Sequence, residues 1–473
     1  MIHSIAFILL FFGGIALFLY QMADIRKTIA LGRPEEITGN TAERWKNVVL
    51  VAFGQKKMFK EWFPALMHFF VYAAFLITQI ELVEIIVDGI IGSHRIARPF
   101  LGGLYTFIVS FIEVLSVLAF VATLIFLARR NLLKVPRFQK PEMKGWPKLD
   151  GNIILYLEIL LIVFIFMMNG ADEVLYNRGQ SHAVGTEHQQ GSFGFTVSQF
   201  VGQALFGGIS DYHTLELIER IGWWGHIMVV LIFLNYLPIS KHFHILMAFP
   251  NVFYSRLDAK GRLTSSKHIQ EEVKAAFDFS YTPPEDPNAP KRFGAKDITD
   301  LTWKSLMDSY TCTECGRCSA VCPANLTGKK LSPRKIVMDT RDRLEEIRKF
   351  KLVPNEEGLM IPGNGVEGAE EAAGHTLLGH YISEEELRAC TTCNACVEAC
   401  PVNIDQLSII VELRRHLILE DSSMPEEWAS MTNNIENNGA PWAFPAADRF
   451  NWSQDIEPLG PSNQEVDKTL DAS

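Results

Sequence analysis

The chain of 473 residues has no cysteine outside two short clusters. All eight cysteines lie in residues 312–322 and 390–400, so none is left for a disulfide elsewhere. A secreted disulfide scaffold is short and spreads its cysteines along the chain. Basic residues are also outnumbered, since 44 lysines and arginines face 54 acidic residues and the net charge is -10. This balance argues against nucleic acid as a partner.

Charge is scarce in five apolar segments of the first half of the chain. A membrane-crossing helix needs roughly 20 such residues. The predicted spans are residues 2–22, 63–88, 104–127, 152–168 and 215–237. A cleaved signal peptide is the alternative for the first segment. However, its start lacks Lys and Arg, and Arg26 and Lys27 follow it like a cytoplasmic flank.

Lysine and arginine accumulate in the first and third loops between the spans. The second and fourth loops hold only Arg95, Arg98 and Arg178. Because positively charged loops stay on the cytoplasmic side, we expect the N-terminus outside and everything after the fifth span inside a bacterial inner membrane. All eight cysteines then lie in the reducing cytoplasm, where thiolate clusters persist.

These features predict an all-α protein, in which a five-helix transmembrane bundle precedes a cytoplasmic α-helical ferredoxin domain. The predicted domains are a transmembrane domain (1–250), a helical linker (251–300), a domain with two [4Fe–4S] clusters (301–436) and an extended, partner-binding tail (437–473). Further helices are expected at residues 41–60, 267–279, 332–349 and 405–420, and a loop is expected at 353–379.

The two cysteine clusters repeat one motif, C-x2-C-x2-C-x3-C-P, at residues 312–323 and 390–401. Three cysteines at three-residue steps wrap around three corners of a cubane cluster, and in two-cluster ferredoxins the fourth ligates the other cluster. Structural zinc is the alternative, but zinc sites use cysteine pairs or Cys–His mixtures. We therefore expect two [4Fe–4S] clusters. Cluster one is assigned to Cys312, Cys315, Cys318 and Cys400, and cluster two to Cys390, Cys393, Cys396 and Cys322.

Three histidines in the membrane segments are candidate haem ligands. His68 lies near the cytoplasmic start of the second span, His226 inside the fifth, and His244 at the cytoplasmic end of the fifth. The last two are 18 residues apart, which is five turns and about 27 Å on one face of a helix. The alternative is that Pro238, which lies between them, kinks the helix and shifts this phase. His68 and His244 share the cytoplasmic side and are the predicted pair for a haem b. His226 faces only Thr78 and Gln79 at its depth, so a second haem is left open.

Carboxylates also enter the predicted spans, although each is costly in lipid unless it faces the bundle interior or water. We interpret Glu81, Glu84 and Glu113 as a proton path to a quinone. The alternative for Glu84 is a place at the wet outer interface. Glu158 lies in the fourth span.

The membrane half resembles the cytochrome b (gamma) subunit of respiratory nitrate reductase. The resemblance is carried by the five spans, by His68 and His226, and by the stretch LPISKHFH that ends at His244. It implies two b haems between spans two and five. This chain departs from the family at the second histidine of span two, where Thr78 stands.

The soluble half resembles the C subunit of heterodisulfide reductase. The doubled cysteine motif, SPRK at residues 332–335 and GAPWAFP at residues 439–445 carry this resemblance. The whole chain is similar to membrane-bound iron–sulfur oxidoreductases of the heterodisulfide reductase-like family. Their cysteine-rich CCG domains have no counterpart here, which implies that a separate protein with CCG domains completes the enzyme.

Residues and resemblance together predict a subunit of a quinone-linked iron–sulfur oxidoreductase. It would pass electrons between a cytoplasmic partner, two clusters, haem b and a membrane quinone, expected to be menaquinone. Electron-transferring flavoprotein is one partner that the resemblance allows. Two alternatives stay open: a membrane anchor and electron wire without its own quinone site, and a component of a thiol–disulfide reductase.

Overall fold

The computed structural model describes residues 2–186, 189–259, 261–263, 265–284, 290–363 and 365–456. It is 67% helical with almost no strands in these ranges, which confirms the predicted all-α class. The chain forms two compact units, Met1–Arg414 and Arg415–Ser473. Residues 457–473 of the predicted tail lie outside the described residues. The predicted domain boundaries stay predictions.

The first half of the larger unit consists of long helices and short connecting turns. Its α-helices are α1 (Ile2–Ile29), α2 (Thr41–Asn47), α3 (Trp62–Ile91), α4 (Arg98–Leu101), α5 (Gly103–Asn131), α6 (Trp146–Asn177), α7 (Ser198–Phe206), α8 (Tyr212–Tyr236) and α9 (His244–Phe253). Five segments are long and apolar enough to cross a membrane, namely α1, α3, α5, α6 and Tyr212–Ile239. They contain the five predicted spans.

The helix expected at residues 41–60 is divided into three pieces. After α2 the chain continues as a π-helix, Val48–Phe53, and then forms a 3-10 turn, Met58–Lys60. Between them Gln55 adopts a left-handed backbone with φ 50°. This bend brings Gln55 to the start of α3, where His68 lies.

The structure bears out the alternative of a break at Pro238 rather than one continuous helix through His226 and His244. α8 ends at Tyr236, a 3-10 turn covers Leu237–Ile239, and Ser240 is extended with φ -116° and ψ 153°. The cause is Pro238, because a proline lacks the backbone N–H and its ring collides with the preceding turn. His244 therefore starts a new helix, and the phase between the two histidines is set by the turn.

Close packing of α6 on α8 depends on two glycines of α8. A Cβ on Gly222 would lie 2.6 Å from the backbone nitrogen of Met168, and one on Gly225 would lie 2.6 Å from the ring of Phe164. Small residues allow membrane helices to approach this closely. Beside this contact, Trp223 and Ile227 join a buried apolar cluster that includes Phe7 of α1.

The second half of the chain consists of short helices, one longer helix and two short strands. Its elements are α10 (Lys267–Phe277), α11 (Trp303–Thr311), α12 (Arg317–Ala320), α13 (Pro323–Leu326), α14 (Pro333–Lys349), β1 (Val353–Pro354), β2 (Met360–Ile361), α15 (Ala369–Gly374), α16 (Glu384–Arg388), α17 (Ala395–Ala399), α18 (Gln406–Leu419) and α19 (Glu426–Asn438). The helices predicted at 267–279, 332–349 and 405–420 match α10, α14 and α18 to within two residues at each end.

The predicted loop at residues 353–379 contains regular structure. Strands β1 and β2 pair antiparallel with Val353 opposite Ile361, and α15 follows them.

α14 begins where Ser332 caps it by accepting a hydrogen bond from the Lys335 N–H. The side chains of Arg334 and Arg343 on α14 are almost fully buried.

The α6–α8 contact generates a prediction about packing. We expect Gly222→Ala to lower the melting temperature, because overpacking a tight contact costs about 1–3 kcal/mol. Gly13→Ala on α1 is the matched control, since a Cβ there meets nothing within 4 Å. Thermal unfolding in detergent, followed by helical circular dichroism, compares the two variants. Equal melting temperatures would show that α6 and α8 are not in close contact.

Candidate redox sites

The two cysteine loops have the same backbone shape. In the first, Glu314 (φ 53°) and Gly316 (φ 72°) are left-handed, and in the second the equivalent residues Thr392 (φ 55°) and Asn394 (φ 60°) are left-handed too. Such conformations are uncommon for residues other than glycine and concentrate at functional sites. Left-handed residues of this kind can arrange successive backbone N–H groups into a concave site for an anion.

Backbone N–H groups in these loops donate to the cysteine sulfurs. The Glu314 N–H lies 3.4 Å from Sγ of Cys312, and the Thr392 N–H lies 3.4 Å from Sγ of Cys390. A third N–H, from Ile404, lies 3.3 Å from Sγ of Cys400. Hydrogen bonds of this kind stabilise charged sulfur and tune the potential of iron–sulfur clusters.

The fold brings Cys400 of the second motif to the first motif. Burial raises the pKa of the Cys318 thiol well above its usual range, and the nearby thiols of Cys315, Cys312 and Cys400 raise it further. Burial, followed by the effect of Cys315, raises the pKa of Cys400 to about 11. Thiols whose pKa values are raised by their neighbours lie close together, so Cys400 lies near the cysteines of the first motif.

Cys322 of the first motif in turn lies near cysteines of the second motif. Burial raises the pKa of Cys396 to about 12, and the neighbouring Cys390 and Cys322 add to the effect. Cys390 likewise has its pKa raised by burial and by nearby Cys322 and Cys393. The assignment of four cysteines to each cluster stays a prediction, since Cys396 also lies near Cys318.

The donor set fits two cubane clusters. Buried thiols with raised pKa values are neutral near pH 7 by themselves, and a bound metal centre deprotonates its cysteine ligands. Four thiols from two crossed motifs, with N–H groups directed at the sulfurs, suit a [4Fe–4S] cluster. When bound, such a cluster supplies one-electron transfer.

His68 and His244 come together at one end of the helical bundle. Their ring centroids are 6.5 Å apart, with the ring planes at 42°. Metal–nitrogen distances of about 2 Å on either side of one metal ion separate two imidazole centroids by about 6 Å. This spacing would allow His68 and His244 to hold one haem between them, and the haem would supply one-electron transfer.

The other ring nitrogens of this pair are held by protein oxygens. Nδ1 of His68 lies 3.2 Å from Oε1 of Gln55, and Nδ1 of His244 lies 3.1 Å from the carbonyl oxygen of Lys241. Metal-ligating histidines typically use their second nitrogen in this way, which orients the ring. Nε2 of each ring is then the candidate ligand. Gln55 was missed because nothing in its sequence context marks it.

His242 is a second residue that sequence reasoning missed. Its ring centroid lies 5.5 Å from that of His244, and burial lowers its pKa well below the usual range. Its Nδ1 is buried without a hydrogen-bond partner in the described part of the chain. The spacing of the two histidines in KHFH was the signal that could have found it.

His226 has its Nδ1 held by a backbone oxygen, as a haem ligand would, but among the described residues it has no identified partner ligand across the bundle. Its Nδ1 lies 3.1 Å from the carbonyl oxygen of Leu161 on α6, which leaves Nε2 as the candidate ligand atom. Thr78 and Gln79 instead bond to the carbonyl oxygen of Phe75 on their own helix, at 3.3 and 2.9 Å. Neither is hydrogen-bonded to His226 in the described structure, so the partner of His226 stays open.

The predicted proton-path carboxylates do lie close to one another. The amide of Asn169 lies 3.5 Å from Glu81 and 3.3 Å from Glu113, and both carboxylates are buried. Glu84 instead accepts from the hydroxyl of Tyr105 at 2.9 Å and the Ala97 N–H at 3.0 Å.

Two of the span carboxylates have structural partners. Glu113 accepts from the backbone N–H groups of Val197 and Ser198, at 2.8 and 3.1 Å, and so anchors the start of α7. Glu158 accepts from the Thr123 hydroxyl at 3.1 Å. These contacts account for the burial of both groups without requiring proton transfer.

A buried ionic network beside these carboxylates was not expected. Arg95 donates to Asp172 at 2.8 Å, to Asn169 at 2.7 Å and to Tyr105 at 3.0 Å. His94 lies 2.9 Å from Asp172. Burial alone would lower the pKa of His94, but the carboxylates of Asp172 and Glu219 outweigh it and raise that pKa. The sequence feature that could have indicated this network was Arg95, because its loop contains few basic residues.

The first cysteine loop contacts the loops beside the histidine pair. Arg317 donates to the carbonyl oxygens of Lys57 and Met58, at 3.1 and 3.3 Å. Buried Glu314 forms ion pairs with Lys241 and Arg341. Burial would raise the pKa of Glu314, but these two cations lower it. The contact joins a residue inside the first motif to the segment that carries His244.

Residues 311–404 match the family model of the 4Fe–4S dicluster domain. This segment of the chain is therefore similar to 4Fe–4S dicluster domains. Its cysteines are those of the two motifs at residues 312–322 and 390–400. This finding supports iron–sulfur clusters at these cysteines rather than structural zinc.

Three relatives are iron–sulfur or quinone-linked redox proteins by name. The chain is 28% identical over 466 residues to a probable iron–sulfur-binding oxidoreductase, FadF, of Bacillus subtilis, covering 95% of this chain and 60% of that protein. It is 27% identical over 423 residues to an EtfAB:quinone oxidoreductase of Syntrophomonas wolfei, covering 87% and 54%. It is 34% identical over 177 residues to a probable membrane-anchored ferredoxin of Chromohalobacter salexigens, covering 37% and 26%.

The expected likeness to heterodisulfide reductase also has a counterpart. Over 133 residues the chain is 27% identical to the C subunit of a ferredoxin/F420H2-dependent CoB–CoM heterodisulfide reductase of Methanosarcina acetivorans. The chain spans little more than half the length of the first two relatives. No solved structure matches it. It is thus similar to proteins named as oxidoreductases and to a probable membrane-anchored ferredoxin. Its likeness to the nitrate reductase gamma subunit stays a prediction.

The ionic network yields a prediction about stability. We expect Asp172→Asn to destabilise the fold by about 3 kcal/mol, because removing one partner leaves the buried Arg95 charge without its counterion. Glu216→Gln is the control, since that carboxylate is 35% exposed beside His182 and should contribute less than about 1 kcal/mol. Thermal unfolding in detergent measures both. Similar melting temperatures would mean that Arg95 is balanced by its other contacts.

Proposed function

We propose that the chain is the membrane-anchored electron-transfer subunit of a quinone-linked oxidoreductase. Electrons would pass between a soluble partner, two [4Fe–4S] clusters, one haem b at His68 and His244, and a membrane quinone. The observation that carries the proposal is the contact between the first cysteine loop and the histidine segment, through Glu314 and Lys241. The site proposed for cluster one and the proposed haem site are connected through this ion pair.

The proposed ligands follow the two thiol groups. Cluster one takes Cys312, Cys315, Cys318 and Cys400, and cluster two takes Cys390, Cys393, Cys396 and Cys322. The closeness of Cys400 to Cys315, and of Cys322 to Cys396, supports this crossed assignment. His226 stays a candidate ligand for a second haem.

A quinone partner is supported by an apolar cavity and by a relative. The cavity of about 350 Å³ lies between α5, α6 and α7 and has the size of a small-molecule site. Val197 lines it, and its N–H binds the carboxylate of Glu113. One relative is named an EtfAB:quinone oxidoreductase. We propose a quinone here, with Glu81, Glu84 and Glu113 handling its protons.

The soluble partner and the orientation belong to the same proposal. The name of that relative makes an electron-transferring flavoprotein the favoured donor or acceptor. The charge of the loops favours an outer N-terminus and a cytoplasmic iron–sulfur domain at a bacterial inner membrane. Menaquinone as the quinone, and a separate CCG-domain iron–sulfur protein as partner, stay predictions from the resemblance.

Crossed ligation predicts which variants share a phenotype. We expect Cys312→Ser and Cys400→Ser to lose the same [4Fe–4S] signal in the electron paramagnetic resonance spectrum of the reduced protein. Cys322→Ser should lose the other signal, together with Cys390→Ser, because the fourth cysteine of each motif serves the opposite cluster. If Cys400→Ser instead matched Cys390→Ser, each motif would hold its own cluster.

The haem and quinone proposals are tested together. Purified chain should show a b-type absorbance band that appears on anaerobic addition of menadiol. His68→Leu and His244→Leu should each remove the band, because one axial ligand is lost. His213→Leu, with an 85% exposed side chain, is the control and should leave it intact. A haem that menadiol does not reduce would favour the anchor-and-wire alternative, and absence of haem would refute the pair.

A further inference from the structure

We propose that soluble redox proteins dock on the surface around cluster two, and that cluster one faces the membrane end of the chain. The docking surface, called here the cluster-two face, consists of Val321, Pro323, Leu326, Thr391 and Cys393. This inference rests on the proposed function and adds the order of the two clusters and the place of the partner. The occupant is a soluble one-electron carrier protein whose own cofactor lies at its surface.

The two thiol groups differ in exposure. In the first, Cys312, Cys318 and Cys400 are buried and Cys315 is half-buried. In the second, Cys393 is exposed at the surface. Electron transfer slows steeply as the distance between cofactors grows, so a partner protein reacts fastest with the group that reaches the surface.

The first group is covered by the membrane-side loops. Arg317, one residue before Cys318, donates to the carbonyl oxygens of Lys57 and Met58 and lies 3.5 Å from Glu61. Glu314 is 2% exposed and pairs with Lys241. A partner cannot approach cluster one from this side without displacing the loops that lead to His68 and His244. Cluster one is therefore the inner centre.

Large apolar side chains surround the cysteine that the first motif contributes to cluster two. Val321 is 42% exposed and Leu326 is 69% exposed, on either side of Cys322. The Leu326 N–H donates to the Cys322 carbonyl oxygen at 2.9 Å, which fixes this turn beside the thiol. Exposed apolar groups beside a functional centre mark interaction sites. Transient redox complexes need only a small interface of this kind.

The charges near this face favour a protein over a lipid surface. Lys330 forms an ion pair with Glu385, and the acidic Glu384 lies next to it in sequence. Anionic lipid headgroups are recognised by clusters of four or more basic residues. The mixed charge here lacks that excess, so an apolar centre with a mixed polar rim fits a protein partner.

The test compares donors that do and do not need to dock. Holoprotein in detergent is mixed by stopped flow with reduced electron-transferring flavoprotein, or with reduced methyl viologen, a small donor. We expect Leu326→Glu to lower the second-order rate of cluster reduction by the flavoprotein at least about tenfold. The rate with methyl viologen should not change. Leu359→Glu, at a 42% exposed leucine between β1 and β2, is the matched control and should behave like the wild type.

Equal flavoprotein rates in the Leu326→Glu and Leu359→Glu variants would overturn the docking surface. That result would also be expected if the face contacted lipid, which the detergent assay leaves out. If Leu326→Glu lowers the cluster content, Leu326→Gln and Val321→Gln take its place. A wild-type chain that accepts flavoprotein electrons but shows no quinol-linked haem reduction would refute the proposed quinone function and leave the docking surface standing.

A second measurement tests the order of the clusters without any partner. A soluble dysprosium complex accelerates the spin relaxation of exposed paramagnetic centres. We expect it to relax more strongly the cluster whose signal is lost in Cys322→Ser. Stronger relaxation of the cluster that is lost in Cys312→Ser would place cluster one at the surface and reverse the assignment.

Discussion

The buried ion pair between Glu314 and Lys241 is the contact on which the rest of the arrangement depends. Glu314 lies inside the first cysteine loop, and Lys241 precedes His244 by three residues. Removing charges from water is costly, and a buried pair is tolerated only when each charge finds good partners. Arg341 supplies the second partner of Glu314. Because Glu314 needs both cations, its ion pair with Lys241 fixes the cysteine loop against the segment that carries His244.

The opposite end of the bundle is organised by a similar demand. Arg95 lies among the carboxylates of Asp172 and Glu84 and the amide of Asn169, and its guanidinium lies 4.9 Å from the ring of Phe195. Carboxylates buried between apolar helices would be very costly without such a cation. The network anchors the segment that follows α6, and it places Glu81 and Glu113 on either side of one amide. The structural contacts and the proposed proton handling therefore involve the same residues.

Local patterns were enough to locate the spans, because apolar length by itself selects membrane helices. The cysteine motifs were equally informative, since their spacing is dictated by the shape of a cubane. The alternative of a break at Pro238 is confirmed, but the position of His244 relative to His226 after the break did not follow from the sequence. A proline predicts a disturbance, but the direction of the chain after it depends on what Ser240 and Lys241 bind.

Span positions, the all-α class, the iron–sulfur chemistry and the candidate histidines all follow from residue order, because each depends on neighbours within a few turns of the chain. The roles of Gln55, His242, Arg95 and Asp172 do not, since their partners lie far away in sequence or on another element. The proposed order of the two clusters likewise depends on the contacts of Arg317 and Glu314 with loops that are distant in sequence. Such contacts arise only when buried charges and hydrogen-bond donors from separate segments must satisfy one another in a closed interior.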